Sequence, residues 1–476
     1  MDARRDNSQY SAALEVVRAL RGAGHAAYFA GGCVRDMLLG IAPKDYDVAT
    51  AAVPEQIVAL FAKTFTVGAH FGVVLVCVAQ EDAPDVAIEV ATFRHDGAYS
   101  DGRRPDAVRF SLDPREDVLR RDFTINGLLL DPIAYDVGGD LDAAVLDFVE
   151  GRRDLARRVV RCIGEPELRY SEDKLRMLRA VRFAARLDFE LEADGIAAKA
   201  GEIHQVSAER IRDELTRVLT EGGARRGFEL LHEVGLLARV LPEVARMRDV
   251  AQPPQFHPEG DVWTHTMLLL EKLPEAAKLA DGGEACAISP TLAWGALLHD
   301  IGKPATYQPP NPAVPGDRIR FNGHVEVGVR IAEEILNRLR FSNDDKEQIL
   351  ALVKNHMRFG DVMQMKQSTL KRFLRLPRFE EHLALHWLDA SSAHGDLRLY
   401  EFARAAYQAE PAADLRPAPL LTGADLIAVG YRPSPQFKEM LAMAEDAQLE
   451  GSVTTREAAL ALVQQAFPLG APRGKA

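Results

Sequence analysis

The sequence has few cysteines, no long apolar segment and no excess of basic residues. The four cysteines, at positions 33, 77, 162 and 286, are too far apart for a disulfide framework or a zinc cluster, which favours a reducing compartment. No apolar run approaches the roughly 20 residues that span a bilayer. The first residues lack the apolar core of a signal peptide, so we expect a cytoplasmic protein with no membrane partner.

The formal net charge of −12 at pH 7 argues against a protein that coats nucleic acid without selectivity. One segment differs from the rest, because residues 150–186 contain eleven Lys and Arg against six Asp and Glu. Taken alone, such a segment is typical of a solvated helix face. The alternative is a local basic groove inside an acidic protein.

The length of 476 residues and the patterning along the chain predict several domains. Residues 1–150 alternate short apolar strands with glycine turns, which indicates an α+β head. After that point strand signals vanish and helical periodicity follows, interrupted by proline-rich breaks. We therefore predict a helical neck at 151–250, a second helical domain at 251–400 and a helical tail at 401–476.

The stretch GGCVRDMLLGIAPKDYDVAT, which begins at Gly31, combines a glycine turn with two carboxylates. The residues before it predict a buried strand, CVRDMLLG predicts a short helix, and KDYDVAT has the alternation of a second strand. Asp45 and Asp47 would then project from one face, with Glu89 of AIEVATF as a third carboxylate on a neighbouring strand. Such a set holds two Mg²⁺ ions about 4 Å apart in nucleotidyl transfer.

The glycines of the same stretch suit a phosphate-binding turn. Gly31 and Gly32 would let backbone amides approach a phosphate closely, and Arg35 would reach the same phosphates. A lone D-x-D is weak evidence, but the preceding GGCVRD makes the combination specific.

Four motifs carry a resemblance to a known family. GGCVRDMLLGIAPKDYDVAT, RRDFTINGLLLD, YSEDKLRMLRAVRFAARL and SAERIRDEL occur in this order between about residues 25 and 245. Together they resemble the class II tRNA nucleotidyltransferase (CCA-adding enzyme) and bacterial poly(A) polymerase family. The resemblance implies a polymerase-β-like nucleotidyltransferase palm followed by a mostly α-helical neck and body. It also implies Mg²⁺ as cofactor, CTP and ATP as substrates and tRNA as partner, without a nucleic-acid template.

An enzyme without a template must recognise its nucleotide with protein groups. Asp173 and Arg176, three residues apart, would be neighbours on one helix face. A carboxylate and a guanidinium together accept C and A and reject U and G, which present an oxygen in place of the amino group. The resemblance assigns base reading to these two residues and nucleotide contacts to Arg121, Arg179 and Arg182. Without it, the arginines would be an exposed basic face of an ordinary amphipathic helix.

Two further features of the head are less specific. Residues 91–110, rich in glycine and charge, predict a mobile loop, and the resemblance places a segment used in nucleotide switching there. Arg103 and Arg104 of this loop could equally be surface charges. Asn126 of RRDFTIN is expected to support the backbone rather than to contact a ligand.

A second set of histidines and aspartates lies in the helical region 251–400. THTMLLL, LLHDIGKP, FNGHVEVG, KNHM and LDASSAHGD resemble, in this order, an HD-domain metallophosphohydrolase. The resemblance places metal ligands at His265, His299, Asp300 and Asp389, with His324 and His356 available for a second ion. Imidazole and carboxylate ligands suit Mg²⁺ or transition ions such as Ni²⁺, Mn²⁺ and Co²⁺.

Two interpretations of this region stay open. The set is either an active phosphohydrolase centre or an HD fold retained as an RNA-binding body. Lys303 would neutralise a phosphate in the first case and would be an exposed helix-end cation in the second.

The expected function is the addition of C and A nucleotides (CCA) to the 3′ end of tRNA by two-metal transfer from CTP and ATP. Poly(A) synthesis, and addition of CC alone or A alone, are alternatives because the motifs overlap. The HD region and the lack of a long basic C-terminal extension favour tRNA. A third hypothesis, an HD phosphohydrolase with an idle palm, would be expected to show a broken D-x-D, whereas this pair is intact. The sequence leaves the oligomeric state open.

Overall fold

The structure, a computed structural model, describes residues 8–66, 72–80, 83–97, 107–281, 287–409, 411, 415 and 417–469. Arg103, Arg104 and the centre of the loop predicted at 91–110 lie outside these residues. The chain divides into two compact units, the first of residues 1–245 and 338–340 and the second of residues 246–337 and 341–476. The predicted division into four domains stays a prediction. Among the described residues, no helix has both the length and the apolarity to cross a bilayer.

The first unit contains the strands of the described chain. They are β1 (Ala27–Ala30), β2 (Val48–Thr50), β3 (Thr64–Phe65), β4 (Val73–Gln80), β5 (Ala83–Thr92), β6 (Arg94–Asp96), β7 (Val108–Phe110), β8 (Leu128–Leu130), β9 (Val145–Asp147), β10 (Val159–Val160) and β11 (Glu190–Leu191). Seven of them form one mixed sheet in the order β3-β4-β5-β2-β1-β8-β9. The predicted α+β class is confirmed, but strands do not end at residue 150. The short parallel pair β10 and β11 lies in the neck.

The helices of the first unit flank this sheet and form the neck. They are Ser8–Gly22, Gly32–Leu38, Pro54–Leu60, Pro114–Leu119, Pro132–Gly138, Leu141–Ala144, Gly151–Arg157, Pro166–Glu172, Leu175–Leu187, Asp194–Lys199, Ala208–Thr220, Ala224–Glu233, Leu237–Val240 and Pro242–Ala245, with 3-10 turns at Thr124–Asn126 and Ala200–Gln205. Helix Leu175–Leu187 buries Met177, Leu178 and Val181 completely, because its apolar residues recur with helical spacing.

The second unit is helical. Its helices are Val262–Glu271, Leu273–Asp281, Pro290–Leu298, Lys303–Thr306, His324–Arg338, Asn343–Asn355, Gln367–Leu374, Phe379–Ser392, Arg398–Ala409, Gly423–Ala428, Gln436–Leu449 and Arg456–Ala466, with a 3-10 segment at His356–Gln364. Apolar residues such as Trp294, Phe359 and Phe373 are buried in its cores.

The sheet register places two of the predicted carboxylates side by side. β2 runs parallel to β5, with Val48 opposite Val90, so Asp47, directly before β2, lies level with Glu89 inside β5. The strand predicted for KDYDVAT begins only at Val48, which corrects the prediction. The alternation is nevertheless present, because Tyr46 is buried while Asp45 and Asp47 on either side of it are open. The Tyr46 ring packs against two other aromatic rings, which fixes this segment.

Candidate functional sites

A pocket of about 610 Å³ opens in the first unit. It brings together ten of the residues that the sequence indicated in the head and neck. These are Gly32, Arg35, Asp45, Asp47, Glu89, Arg121, Asp173, Arg176, Arg179 and Arg182. Carboxylates and arginines therefore face one shared volume, large enough for a nucleotide.

The three carboxylates Asp45, Asp47 and Glu89 line the pocket and interact electrostatically. Removal of water by the surrounding protein, together with the negative charges of Glu89 and Asp45, raises the pKa of Asp47 to about 7, although Arg121 opposes the shift. A carboxylate whose ionised form is disfavoured in this way is stabilised by a bound divalent ion. The residues present therefore fit Mg²⁺, which is held by carboxylate oxygens.

Arg121 is held at this site by a residue that the sequence motif did not single out. Its Nε and Nη2 donate to Asp117 Oδ2 at 3.2 and 3.0 Å, and Asp117 is fully buried. Gly31 is required beside it, since its φ of +75° favours glycine and a Cβ there would lie 3.0 Å from Arg121 Nη1.

Arg35 is also fixed by side chains on two sides. It donates to Asp36 Oδ1 at 2.8 Å and to Asn126 Oδ1 at 2.6 Å. Asn126 donates in turn to Asp122 Oδ1 at 3.2 Å. The expectation that Asn126 supports the backbone is corrected, because its amide connects two charged side chains that line the pocket.

Asp173 does not lie on the helix predicted for it. It has an extended backbone between helices Pro166–Glu172 and Leu175–Leu187. Its Oδ1 accepts from the backbone N–H of Leu175 at 3.1 Å, and its Oδ2 accepts from Arg210 at 2.9 Å. An aspartate prefers to cap a helix N-terminus rather than to continue a helix, which explains the difference.

The side chain of Arg176 hydrogen-bonds to residues other than Asp173. Its Nη1 donates to Glu172 Oε2 at 2.8 Å and to the Arg169 carbonyl at 3.1 Å. Both base-reading candidates line the pocket, each held by its own partner. The sequence motif did not indicate these partners, Arg210 and Glu172.

The other arginines of helix Leu175–Leu187 do not form an exposed basic face. Arg179 donates to Asp122 Oδ2 at 2.5 Å. Arg182 is 1% exposed and donates to Glu214 and Glu221, each at 2.8 Å. Acidic residues of other segments therefore neutralise the arginines of this helix. These partners could not be predicted from the periodicity of the helix itself.

The second unit contains a cluster of histidines and aspartates. Ligand atoms of His265, His299 and Asp389 lie within 4.8 Å of one another, and so do those of Asp300, His324 and His356. Asp300 lies between the groups, since its Oδ2 is 3.2 Å from His299 Nε2 and its Oδ1 is 3.8 Å from both His324 Nε2 and His356 Nε2. All six predicted residues are therefore brought together.

The histidines of this cluster are oriented as metal ligands. Each directs Nδ1 to an oxygen: His265 to Glu259 at 2.7 Å, His299 to the Ala296 carbonyl at 2.9 Å, His324 to the Phe321 carbonyl at 3.0 Å and His356 to the Val353 carbonyl at 2.7 Å. Because a carbonyl only accepts, Nδ1 of His299, His324 and His356 carries the proton, and Nε2 presents a lone pair to the cluster. His265 contacts carboxylates through both ring nitrogens, so a metal would have to displace its Nε2 proton. His324 Nε2 and His356 Nε2 lie 3.4 Å apart, which a shared cation would stabilise.

Charge at the cluster is strongly perturbed. Burial lowers the pKa of His265, but hydrogen bonds to Asp389 and Glu259 outweigh it and raise this pKa to about 9. Burial and the nearby His299 lower the pKa of His356 to about 4. The residues fit a divalent ion with nitrogen and oxygen ligands, such as Ni²⁺, Mn²⁺ or Co²⁺.

Lys303 belongs to the same cluster. Its side chain is buried, and its Nζ lies 2.6 Å from Asp300 Oδ2 and 2.7 Å from Gln252 Oε1. The interpretation as an exposed helix-end cation is therefore wrong.

Three regions of the chain match known families. Residues 27–161 match the poly A polymerase head domain, residues 188–247 match the probable RNA and SrmB-binding site of polymerase A, and residues 261–389 match the HD domain. The chain is thus similar to poly A polymerases over its head and RNA-binding regions and to HD domains over residues 261–389.

Two CCA-adding enzymes align with part of the chain. The CCA-adding enzyme of Lactobacillus johnsonii is 38% identical over 56% of this chain and 65% of its own length. That of Geobacillus stearothermophilus is 40% identical over 50% of this chain and 55% of its own. The chain thus spans less than two thirds of the length of these relatives. The structure of the Bacillus stearothermophilus CCA-adding enzyme in complex with CTP covers 97% of this chain and 98% of its own, with 25% identity and a TM-score of 0.69.

The six histidines and aspartates of the second unit are called the HD cluster below. We expect this cluster to bind Ni²⁺ more tightly as the pH rises from about 6.5, the ordinary pKa of His265, to about 9, its raised pKa. The metal must displace one proton from His265, which predicts about a tenfold gain in affinity per pH unit. In the metal-free protein, protonated His265 contributes to the free energy of unfolding. This contribution is complete below about pH 6.5 and is lost as the pH rises through about 9. Calorimetry in buffers of different ionisation enthalpy measures both affinity and proton release. An affinity independent of pH contradicts the assignment of His265 as a ligand.

Proposed function

We propose that the pocket of the first unit adds C and A nucleotides to the 3′ end of tRNA, with CTP and ATP as donors. The observation that carries the proposal is that Asp45, Asp47 and Glu89 share one pocket with Asp173 and Arg176. Transfer chemistry and base reading are thereby available in the same volume. The likeness to CCA-adding enzymes, one of them in complex with CTP, supports this choice.

The residues of the pocket have separate roles in this reaction. Asp45, Asp47 and Glu89 would hold two Mg²⁺ ions, which when bound assist the attacking 3′ hydroxyl and neutralise the triphosphate. Arg35 and Arg121 are fixed by their carboxylate partners, so they are positioned in advance to donate to phosphate oxygens.

Base reading requires one acceptor and one donor. Asp173 accepts from the exocyclic amino group that C and A share, and Arg176 donates to the adjacent ring nitrogen or carbonyl oxygen. Because Arg210 and Glu172 hold these two side chains, little orientation remains to be lost when the nucleotide binds.

The direct test uses tRNA that ends at the discriminator base, with Mg²⁺ and each nucleoside triphosphate singly or in pairs. Addition of two C and then one A supports the proposal. Addition of long A tracts would instead identify poly(A) synthesis. Addition of C alone or of A alone would indicate that a second enzyme completes the CCA end.

Arg176→Ala is expected to alter nucleotide choice. Removal of the guanidinium costs about 1–3 kcal/mol in discrimination, so UTP and GTP should gain relative to CTP and ATP while the overall rate falls. Single-turnover incorporation of each nucleotide measures the ratios. Arg225→Ala is the control, since Arg225 pairs with Glu229 away from the pocket. An equal loss for all four nucleotides would instead show that Arg176 positions phosphate.

A second candidate activity belongs to the HD cluster. We propose that it hydrolyses phosphate esters such as 2′,3′-cyclic phosphates with Ni²⁺, Mn²⁺ or Co²⁺. The inward Nε2 atoms of four histidines favour this activity over a purely structural role, because a packed histidine does not require that arrangement. Removal of damaged 3′ ends before renewed extension would give both sites one substrate.

A further inference from the structure

The aromatic ring of Phe183 lies where three arginines of the first unit's pocket meet. The centre of the ring is 4.3 Å from the guanidinium carbon of Arg182, 5.2 Å from that of Arg35 and 5.6 Å from that of Arg179. All four side chains line the pocket. A guanidinium group within about 6 Å of the centre of an aromatic ring is attracted by the negative charge of the ring face. One ring is therefore within reach of three cations of one pocket.

Each of the three arginines also has a carboxylate partner of its own. The pairs are Arg35 with Asp36, Arg179 with Asp122 and Arg182 with Glu214, at N–O distances of 2.7, 2.5 and 2.8 Å. These acids neutralise the guanidinium groups, but they belong to three different segments of the chain. The Phe183 ring, which is 7% exposed, is a neighbour that all three arginines share. Since like charges repel one another, an attractive group among them helps to keep the arginines together.

Phe183 also connects the neck to the head within the first unit. It belongs to the neck helix that carries Arg176, whereas Arg35 belongs to helix Gly32–Leu38 of the head. The Phe183 ring packs edge to face on Phe123 of the head, with the ring centres 5.7 Å apart. The ring therefore lies between the group proposed to bind phosphate and the helix proposed to read the base.

We propose that Phe183 is a positioning residue of the nucleotide pocket, whose ring holds the three arginines in the arrangement that receives a nucleoside triphosphate. The proposal rests on the nucleotide addition proposed above and assigns a role in it to a side chain without hydrogen-bonding groups. Because the ring acts through arginines and not on the base, its loss should affect CTP and ATP alike.

Fluorination of the ring tests this role, because fluorine withdraws negative charge from the ring face and changes the volume of the ring little. 4-Fluorophenylalanine and 3,4,5-trifluorophenylalanine are introduced at position 183 of the full chain by amber suppression. Equilibrium binding of CTP and of ATP with Mg²⁺ present should weaken stepwise, by about 5- to 30-fold with the trifluorinated ring. Phe183→Leu, which retains an apolar side chain without an aromatic face, should lose at least as much affinity.

Steady-state kinetics of nucleotide addition should show the same loss in KM. The KM for CTP and for ATP should rise with each fluorination step, while kcat changes by less than about twofold, because binding is weakened equally in the ground state and the transition state. The ratio of CTP to UTP incorporation should stay that of the parent protein, in contrast to Arg176→Ala.

The same two fluorinated residues at position 228 are the matched control. Phe228 is buried in the first unit and does not line the pocket, so its fluorination should leave the affinities for CTP and ATP unchanged. Affinities that do not fall as Phe183 is fluorinated overturn the positioning role, and so does an equal loss in the Phe228 series.

CTP binding separates this proposal from the proposed function. If fluorination of Phe183 weakens CTP binding but the parent protein adds no nucleotide to tRNA, the proposed function fails and the positioning role stands. If the parent protein adds CCA and fluorination leaves CTP affinity unchanged, the proposed function stands and the positioning role fails.

Discussion

Asp47→Asn is expected to reduce nucleotide addition by about 1000-fold or more and, at the same time, to stabilise the metal-free protein. The loss of activity follows from the removal of charge where the transferred phosphates are neutralised. The gain in stability follows from the raised pKa of Asp47, about 7, which results first from removal of water around Asp47 and then from the charges of Glu89 and Asp45. The asparagine side chain is neutral, like the protonated carboxyl group of Asp47, which the metal-free pocket favours over the carboxylate.

The sign of the pH dependence is fixed by the same pKa. An acid whose pKa is raised in the folded state binds more protons there than in the unfolded chain, so its ionisation lowers stability as the pH rises from about 4 to about 7. In the presence of a chelator, the Asp47→Asn variant should melt at a higher temperature than the parent protein above about pH 7. Below about pH 4 the two melting temperatures should be equal. Asp136→Asn, at a surface ion pair with Arg18, should change neither activity nor this profile. A less stable Asp47→Asn protein in chelator at high pH contradicts the electrostatic argument.

Replacement of His299 by alanine together with Asp300→Asn is expected to abolish metal-dependent phosphate-ester hydrolysis and to leave nucleotide addition within about twofold. Both residues belong to the HD cluster of the second unit, whereas the carboxylates of the transfer site belong to the first. Asparagine is preferred to alanine at 300 because Lys303 is buried against Asp300, and removal of one partner of a buried pair costs about 3–5 kcal/mol.

The measurement pairs hydrolysis of a 2′,3′-cyclic nucleotide with Ni²⁺, Mn²⁺ or Co²⁺ and CCA addition with Mg²⁺ on the same preparations. His394→Ala, at an exposed histidine of the same unit, is the matched control and should retain both activities. If the double variant folds, loses CCA addition and the parent never hydrolyses the ester, the cluster belongs to an RNA-holding body.

The sequence was sufficient to predict which residues come together at the two candidate sites, but not the partners that position them. Asp45, Asp47 and Glu89 were identifiable because a D-x-D after a glycine turn has a fixed spacing along the chain. Arg210 was not, because it contacts Asp173 from a segment distant in sequence. Asp117 lies only four residues before Arg121, but outside the motif that begins at Arg120. Asp173 was misplaced on a helix, since charge spacing does not reveal where one helix ends and the next is capped.

In the HD cluster, too, the candidate ligands were predictable from the sequence but the residues that position them were not. Its six candidate ligands occur in short motifs, but Glu259 and Gln252 lie in a proline-rich stretch that had only suggested a loop. Their roles depend on hydrogen bonds that the fold brings about. A carboxylate three residues before the next helix, close to a motif histidine, is the one local signal that could have indicated Glu259.

The burial of Arg182 between Glu214 and Glu221 limits how this part of the sequence diverges over evolutionary time. Loss of Arg182 removes the nearest cation from the buried Glu214, at about 3–5 kcal/mol, whereas joint replacement of the three residues by apolar ones is far less costly. Single substitutions are therefore removed by selection even where the triple change would be tolerated. We expect these positions to covary among related sequences as a set, and Arg182→Lys to rank among the harmful changes because lysine lacks the planar fork that reaches both glutamates.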